Sequence, residues 1–284
     1  MRPISTGFPV AKYSADSVTV NDLTFNSTAL TASGLIGTNT ITLSASTGVQ
    51  IGMYLRLSNA ITGETFYVIN LVGTTVTLSG NLAAGYAGTP VFFGCVGNLR
   101  DLSGNGNNLI QASGSQQPLL IENYQRGHKA LYFDGVNDRM EAIFTLKQPY
   151  SVYMLVGANV GANQFIWDGY TQQCFARLDN TAISLQINAG GSSSVRADAT
   201  LIGATKMCVG VFNQTGTIAQ INDRLEIGNA GTNNPDGFIL FSRCVPNTSN
   251  VATGYFFHSE VFPHAHSQAT ITNQCNTIQS LYAI

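Results

Sequence analysis

The sequence predicts an all-β protein: a small N-terminal β module, then a β-sandwich of the jelly-roll type, with a short C-terminal helix. Three observations predict it. Short apolar runs with period-2 alternation recur along most of the chain, separated by clusters of Gly, Asn, Asp and Ser. Charged residues make up only 10% of the 284 residues, against ~25% in an ordinary globular chain, and Thr, Ser, Asn, Gln and Gly replace them. Apolar residues at helical spacing occur only near the C-terminus.

Residues 1–30 are polar and weakly patterned. They read as an N-terminal arm, either docked on a neighbouring subunit or poorly ordered. Residues 31–95 are expected to form the small module, of about four or five strands, that anchors the chain to a larger assembly. "TNTITLSAS" places Ile41 and Leu43 on one strand face, and "GMYLRLS" does the same for Met53, Leu55 and Leu57. In "TFYVINLVGTTVTLSGNL" two strand-like runs flank "VGTT", a Gly-containing hairpin turn. "ITLS" at Ile41 and "VTLS" at Val76 echo each other without the regular period of a solenoid.

Residues 96–284 are expected to form the sandwich. The cluster "SGNGNN" at 103–108 is a loop by its chemistry. Strands are expected at 129–134, 138–144, 149–156, 163–168, 173–179, 183–188, 206–213, 217–222, 237–243 and 253–262. In "KALYFDGVNDRM", residues 129–140, Leu131 and Phe133 face one side and Tyr132 the other. Gly135 and Asn137 supply the structural turn, and Arg139 and Met140 begin the return strand. In "SQATITNQCNTIQSLYAI", Ser267 is an N-cap, and Ile271, Cys275, Ile278 and Leu281 recur at helical spacing. This helix is expected to close an open end of the sandwich.

Several function classes are excluded. The net charge is −2 and no Lys/Arg cluster exists, so the electrostatic footprint of a nucleic-acid binder is missing. No run of ~18 apolar residues exists, so no membrane insertion is expected. The N-terminus has no apolar secretory core, so synthesis in a cytoplasm is expected. Five cysteines without a CxxC spacing fit buried hydrophobes better than zinc or redox sites. His264 and His266 in "FPHAHS", with Glu260 nearby, have the i, i+2 spacing of a metal pair on a strand, but a solvated loop after Pro263 is the plainer reading.

Three segments in order, "DLSGNGNNLIQ", "GHKALYFDGVNDRM" and "PYSVYMLVGA", resemble the concanavalin A-like lectin/glucanase superfamily in its laminin-G-like form. "KMCVGVFN", "TIAQINDRLEIGNAG", "GFILFSR", "YFFHSEVF" and the terminal helix follow in the order of that fold, so the likeness spans about residues 97–284. Residues 31–95, with Gly52, Met53, Thr75–Ser79 and Asn81–Leu82, resemble small β modules of bacteriophage structural proteins.

The two likenesses together imply a non-enzymatic virion protein, made in the bacterial host cytoplasm. It would decorate the capsid or form a head fibre, with a lectin-like domain facing outward. Its partners would be major capsid or tail proteins, other copies of itself in a homotrimer, and a host surface glycan. The alternatives are a tail-fibre or baseplate receptor-binding adhesin and a polysaccharide depolymerase. Glucanases of the superfamily carry an E-x-D-x-E or E-x-D-x-x-E strand motif, which is missing here. The nearest pair, Asp223 and Glu226, has odd spacing and points to opposite faces.

A sugar site needs an aromatic platform and a few fixed polar groups. "FIWDGYTQQ" offers Trp167, Asp168, Tyr170 and Gln172, and "GNAGTNNPDG" offers Asn229, Asn233 and Asn234. For Trp167 a place in the core is the competing reading. No cofactor is required by the sequence. The likeness implies at most a Ca²⁺ ion at the rim, for which Asp134, Asp138 and Asp168 are the candidates by type.

Overall fold

A computed structural model describes residues 7–58, 63–158, 164–179, 184–190, 195–198, 205–244 and 251–284. The chain is all-β with one terminal helix, as expected. Its N-terminal part is a closed barrel. Leu23–Gly34 pairs with Tyr86–Val96 on one side and Thr40–Leu43 on the other. Thr40–Leu43 pairs with Thr75–Leu78, which pairs with Gly63–Val72. Gly63–Val72 pairs with Tyr54–Ser58, which returns to Tyr86–Val96 and completes the ring. Closure leaves no unpaired edge.

Alternation decides what fills this barrel. Ile41 and Leu43, and Met53, Leu55 and Leu57, all point inward and are buried. Val72 and Thr75 pair across the two-residue loop Gly73–Thr74, where Gly73 adopts φ +59°. The "ITLS"/"VTLS" echo has a structural meaning, because Ile41 lies directly opposite Val76 in neighbouring strands. The barrel starts at Leu23, earlier than the expected module, because Leu23–Gly34 is its longest strand.

Within the described part of the expected arm, residues 7–30, the chain packs on its own sandwich and barrel. Ala11–Ser14 pairs antiparallel with the last strand, Ala11 opposite Val261 and Ser14 opposite His258. Tyr13 is buried and stacks on Phe238 at 6.1 Å. The "SGNGNN" loop fastens this strand. Asp101 accepts hydrogen bonds from the backbone N–H of Lys12 (3.0 Å), Ser103 and Asn107, and the Asn105 and Asn107 amides donate to the Val10 carbonyl. Burial raises the Asp101 carboxyl, but these bonds outweigh it and hold it below the usual range.

The sandwich has two antiparallel sheets. One orders Leu119–Gln125, His128–Asp134, Thr253–Phe262, Tyr150–Ala158, Lys206–Phe212, Thr217–Ile221 and Arg224–Gly228. The other orders Val195–Asp198, Ser184–Asn188, Phe175–Asp179, Gln164–Asp168, Phe238–Leu240, Met140–Ala142, Leu109–Ile110 and Asn98–Leu99. The first sheet is continuous with the barrel, since Leu119 pairs with Cys95. At this junction Gly52 (φ +90°) must be glycine, because a Cβ would lie 2.4 Å from the Glu122 carbonyl.

Two expectations are corrected here. "KALYFDGVNDRM" is no hairpin: Leu131 and Phe133 face the core in the first sheet, but Met140–Ala142 belongs to the second. The turn carries the chain across the sandwich. The helix Gln268–Leu281 does not close an end. It lies on the outer face of the first sheet, where Ile271, Cys275 and Ile278 pack with Tyr153, Leu155, Met207, Val209 and Val211. That cover explains the unbroken apolar run "KMCVGVF", whose odd residues meet the helix while Cys208 and Phe212 meet the inner core. Leu281 is exposed, and Tyr282 takes the buried place.

Candidate functional site

At one end of the sandwich the segments 143–148, 169–174 and 229–237 come together as a rim. Asp236 builds it. Its carboxylate accepts the backbone N–H of Thr171 (2.8 Å) and Gln172 (3.1 Å) and the Thr171 hydroxyl, so it caps the turn after Asp168. Burial raises this carboxyl, and the bonds more than reverse the effect. Asn234 Oδ1 accepts from the Gln148 N–H at 2.7 Å. The Gln148 amide donates to the carbonyls of Gly231 (3.1 Å) and Asn233 (2.9 Å). Leu146 N–H donates to the Pro235 carbonyl. The three segments are therefore fixed before any ligand arrives, which lowers the ordering cost of binding.

Tyr170 sits over Gly237, where a Cβ would approach the Tyr170 Cβ to 2.7 Å. Its ring is half-buried, and its hydroxyl makes no hydrogen bond among the described residues. Gln172, Asn229 and Asn234 are exposed beside it, and Asn233 is half-buried. Asn233 holds the neighbouring turn through a bond from its N–H to the Ala189 carbonyl, and Asn229 Oδ1 caps Gly231. The rim thus offers one phenol ring and several amides, groups that both donate and accept.

Trp167 is not part of this surface. It is 2% exposed, stacked on Phe238 at 5.2 Å and edge-on to Phe212 at 5.5 Å. Its neighbour Asp168 is fully buried and accepts from Gly169, Cys174 and Cys244 N–H. Burial pushes this carboxyl up to about 6, against the pull of the three donors. Both residues build the sandwich beneath the rim and cannot touch a ligand above it. Asp236, Thr171 and Gln148, which organise the rim, were missed. "NPDG" signals a turn, but the loop partner that its Asp caps is set by the fold.

The expected metal trio is not assembled. Asp134 Oδ1 caps Val136 and Asn137 N–H, and Asp138 Oδ2 accepts the Asp134 N–H at 3.0 Å. Asp168 lies among other partners, and no group of three His, Cys, Asp or Glu side chains converges among the described residues. Asp138 is buried, and burial together with the Asp134 charge pushes its carboxyl up to about 7. His264 and His266 are not in a solvated loop: they contact each other at 2.9 Å, and His266 is buried against Phe262 and Tyr153. The five cysteines are buried, and burial raises every thiol to about 11 or 12, the range of unreactive thiols.

No family model and no curated protein matches the chain. Among solved structures it is similar to an arabinofuranosidase complexed with arabinofuranosyl-α-1,2-xylobiose, at TM-score 0.52 and 12% identity, over 95% of this chain and 62% of that one. It is also similar to the binding domain of Paraclostridial mosquitocidal protein 1, at TM-score 0.48 and 12% identity, over 63% of this chain and 49% of that one. The receptor-binding domain of botulinum neurotoxin type G gives TM-score 0.47 and 12% identity, over 63% and 48%. The chain therefore spans less than two thirds of each. The first of these likenesses supports the all-β fold, over nearly the whole of this chain.

Proposed function

We propose that this chain is a non-catalytic, glycan-binding structural protein of a bacteriophage virion, a capsid decoration or head fibre. The barrel seats it on capsid or tail proteins, and the laminin-G-like sandwich presents its rim to glycans outside. The carrying observation is the prebuilt rim, in which Tyr170 offers a ring, Gln172 an open amide and Asn234 its amide NH2, while Asp236 is engaged as a cap. The arabinofuranosidase that shares the fold is complexed with an oligosaccharide, which supports sugars as the ligand class. The phage-like pattern of residues 31–95 and the charge-poor composition support the virion setting. A symmetric homo-oligomer such as a trimer is part of this reading, and exposed Leu35 and Ile36, adjacent at the barrel's end, are apolar groups that a neighbouring copy would cover.

Hydrolysis is the second reading, and the arabinofuranosidase likeness favours it. Glycoside hydrolysis needs two carboxyl groups flanking one bond, ~5–10 Å apart. At this rim Asp168 is sealed below the surface and Asp236 is occupied by the 171–172 turn, so binding is the stronger reading. Immunogold labelling of purified virions tests the setting. Label on the head is expected, label on the tail selects the receptor-binding adhesin, and unlabelled virions contradict the proposal.

A further inference from the structure

A second polar groove lies away from the rim. The rim begins after Gly228, at one end of the hairpin formed by Thr217–Ile221 and Arg224–Gly228. The groove is at the other end, around the Asn222–Asp223 turn, about 17 Å along the strands. It encloses about 400 Å³ between this hairpin and the helix Gln268–Leu281, within the ~300–1,000 Å³ range of ligand pockets. Gln220, Asn222, Asp223, Gln268, Asn276 and Gln279 line it, with Cys275 at the floor. Among the described residues no lysine or arginine does.

The helix creates this lining by its period. Ile271, Cys275 and Ile278 turn toward the sheet. Gln268, Thr272, Asn276 and Gln279 follow at i, i+4, i+8 and i+11, a polar stripe along one flank. Part of the lining is fixed. Gln268 Nε2 donates to Gln220 Oε1 (3.2 Å), Gln220 Nε2 donates to the Asn222 carbonyl (2.7 Å), and the Met207 N–H donates to Asn222 Oδ1 (3.1 Å). The side chains of Asp223, Asn276 and Gln279 make no hydrogen bond among the described residues. Open groups on a fixed wall are what a polar ligand needs.

We propose that this groove is a second glycan site, which takes an uncharged sugar through Asp223, Asn276 and Gln279. A planar amide places a donor beside an acceptor and so meets two adjacent hydroxyls at once, while a carboxylate accepts two more O–H groups. Asp223, with no cation in the lining, disfavours an anionic ligand. The proposal rests on the glycan-binding reading above and gives the chain two independent contacts, which raises avidity for a repeating polymer.

The test follows side-chain amide NMR signals of the full chain during titration with the methyl glycosides of galactose, glucose, mannose, arabinose and N-acetylglucosamine. The Asn276 and Gln279 signals are expected to move saturably with at least one of them. Asp223→Asn combined with Asn276→Ala is expected to weaken that titration about tenfold or more, and Tyr170→Ala to leave it unchanged. Signals that stay still with all five glycosides, or a titration that the double variant does not weaken, overturn the proposal. Shifts confined to the rim overturn it while sparing the rim reading. Saturable shifts at Asn276 and Gln279, with the Gln172 and Asn234 amide signals of the rim staying still for all five glycosides, contradict the rim and support the groove.

Discussion

Gly135 shows how far a single residue is legible in the sequence. Its place after an alternating run marks a turn, and it adopts φ +79°. Packing adds a second constraint that no local pattern reveals, since a Cβ would lie 1.8 Å from Thr253 Oγ1 on the paired strand. Gly135→Val is therefore expected to cost at least ~2 kcal/mol in denaturant unfolding. Trp167 was ambiguous from sequence because a large ring serves a core or a platform equally well. Burial decides it, and Trp167→Ala is expected to lower stability by about 3–5 kcal/mol, while Tyr170→Ala leaves stability within about 1 kcal/mol. Asp138 makes a pH prediction. Its folded pKa of about 7 lies above the ordinary carboxylate value of 3.8. Its contribution is thus full below pH 3.8 and is lost as pH rises through 7. Asp138→Asn is expected to stabilise the protein by roughly 1–3 kcal/mol at pH 8, by about a third of that at pH 5 and hardly below pH 3.8, in thermal melts across that range.

Elements with one buried face were legible, because alternation is the direct imprint of burial. Thr253–Phe262 matches its expected span, and Thr40–Leu43 its expected inward face. The missed strands lack that imprint. Arg224–Gly228 is an edge strand with little burial on either face, and Ala11–Ser14 carries only the weakly marked inward pair Ala11 and Tyr13 within a polar stretch. In Leu119–Gln125 the register shifts between Ile121 and Gln125, and Asn123 adopts φ +51°, which breaks the alternation. The path of the chain after Asp134 was not legible either, since turn chemistry is the same whether the next strand pairs beside the last or crosses to the other sheet. The first strand owes its place to Asp101. Asp101→Ala is expected to cost about 3 kcal/mol or more and to increase amide exchange in residues 11–14 first.

On the scale of the whole molecule, barrel and sandwich share one hydrogen-bonded sheet, and the N-terminal strand completes the sandwich after its chain would have been counted as an arm. A fragment of residues 97–284 lacks Tyr13 and its neighbours from the core, so it is expected to melt well below the full chain. The composition hinted at a surface built from neutral hydrogen-bonding groups, and the rim is such a surface; which loops meet to form it is a property of topology alone. Central to the account is a rim that binds sugar without cutting it. The direct measurement is calorimetric titration of the full chain with the glycan it retains on an array, repeated with Tyr170→Ala, with reducing ends assayed in the same samples. Binding that Tyr170→Ala weakens about tenfold or more, with no new reducing ends, is the expected result. A titration in which Tyr170→Ala weakens no binding component, or steady release of reducing ends by the wild-type chain, contradicts it.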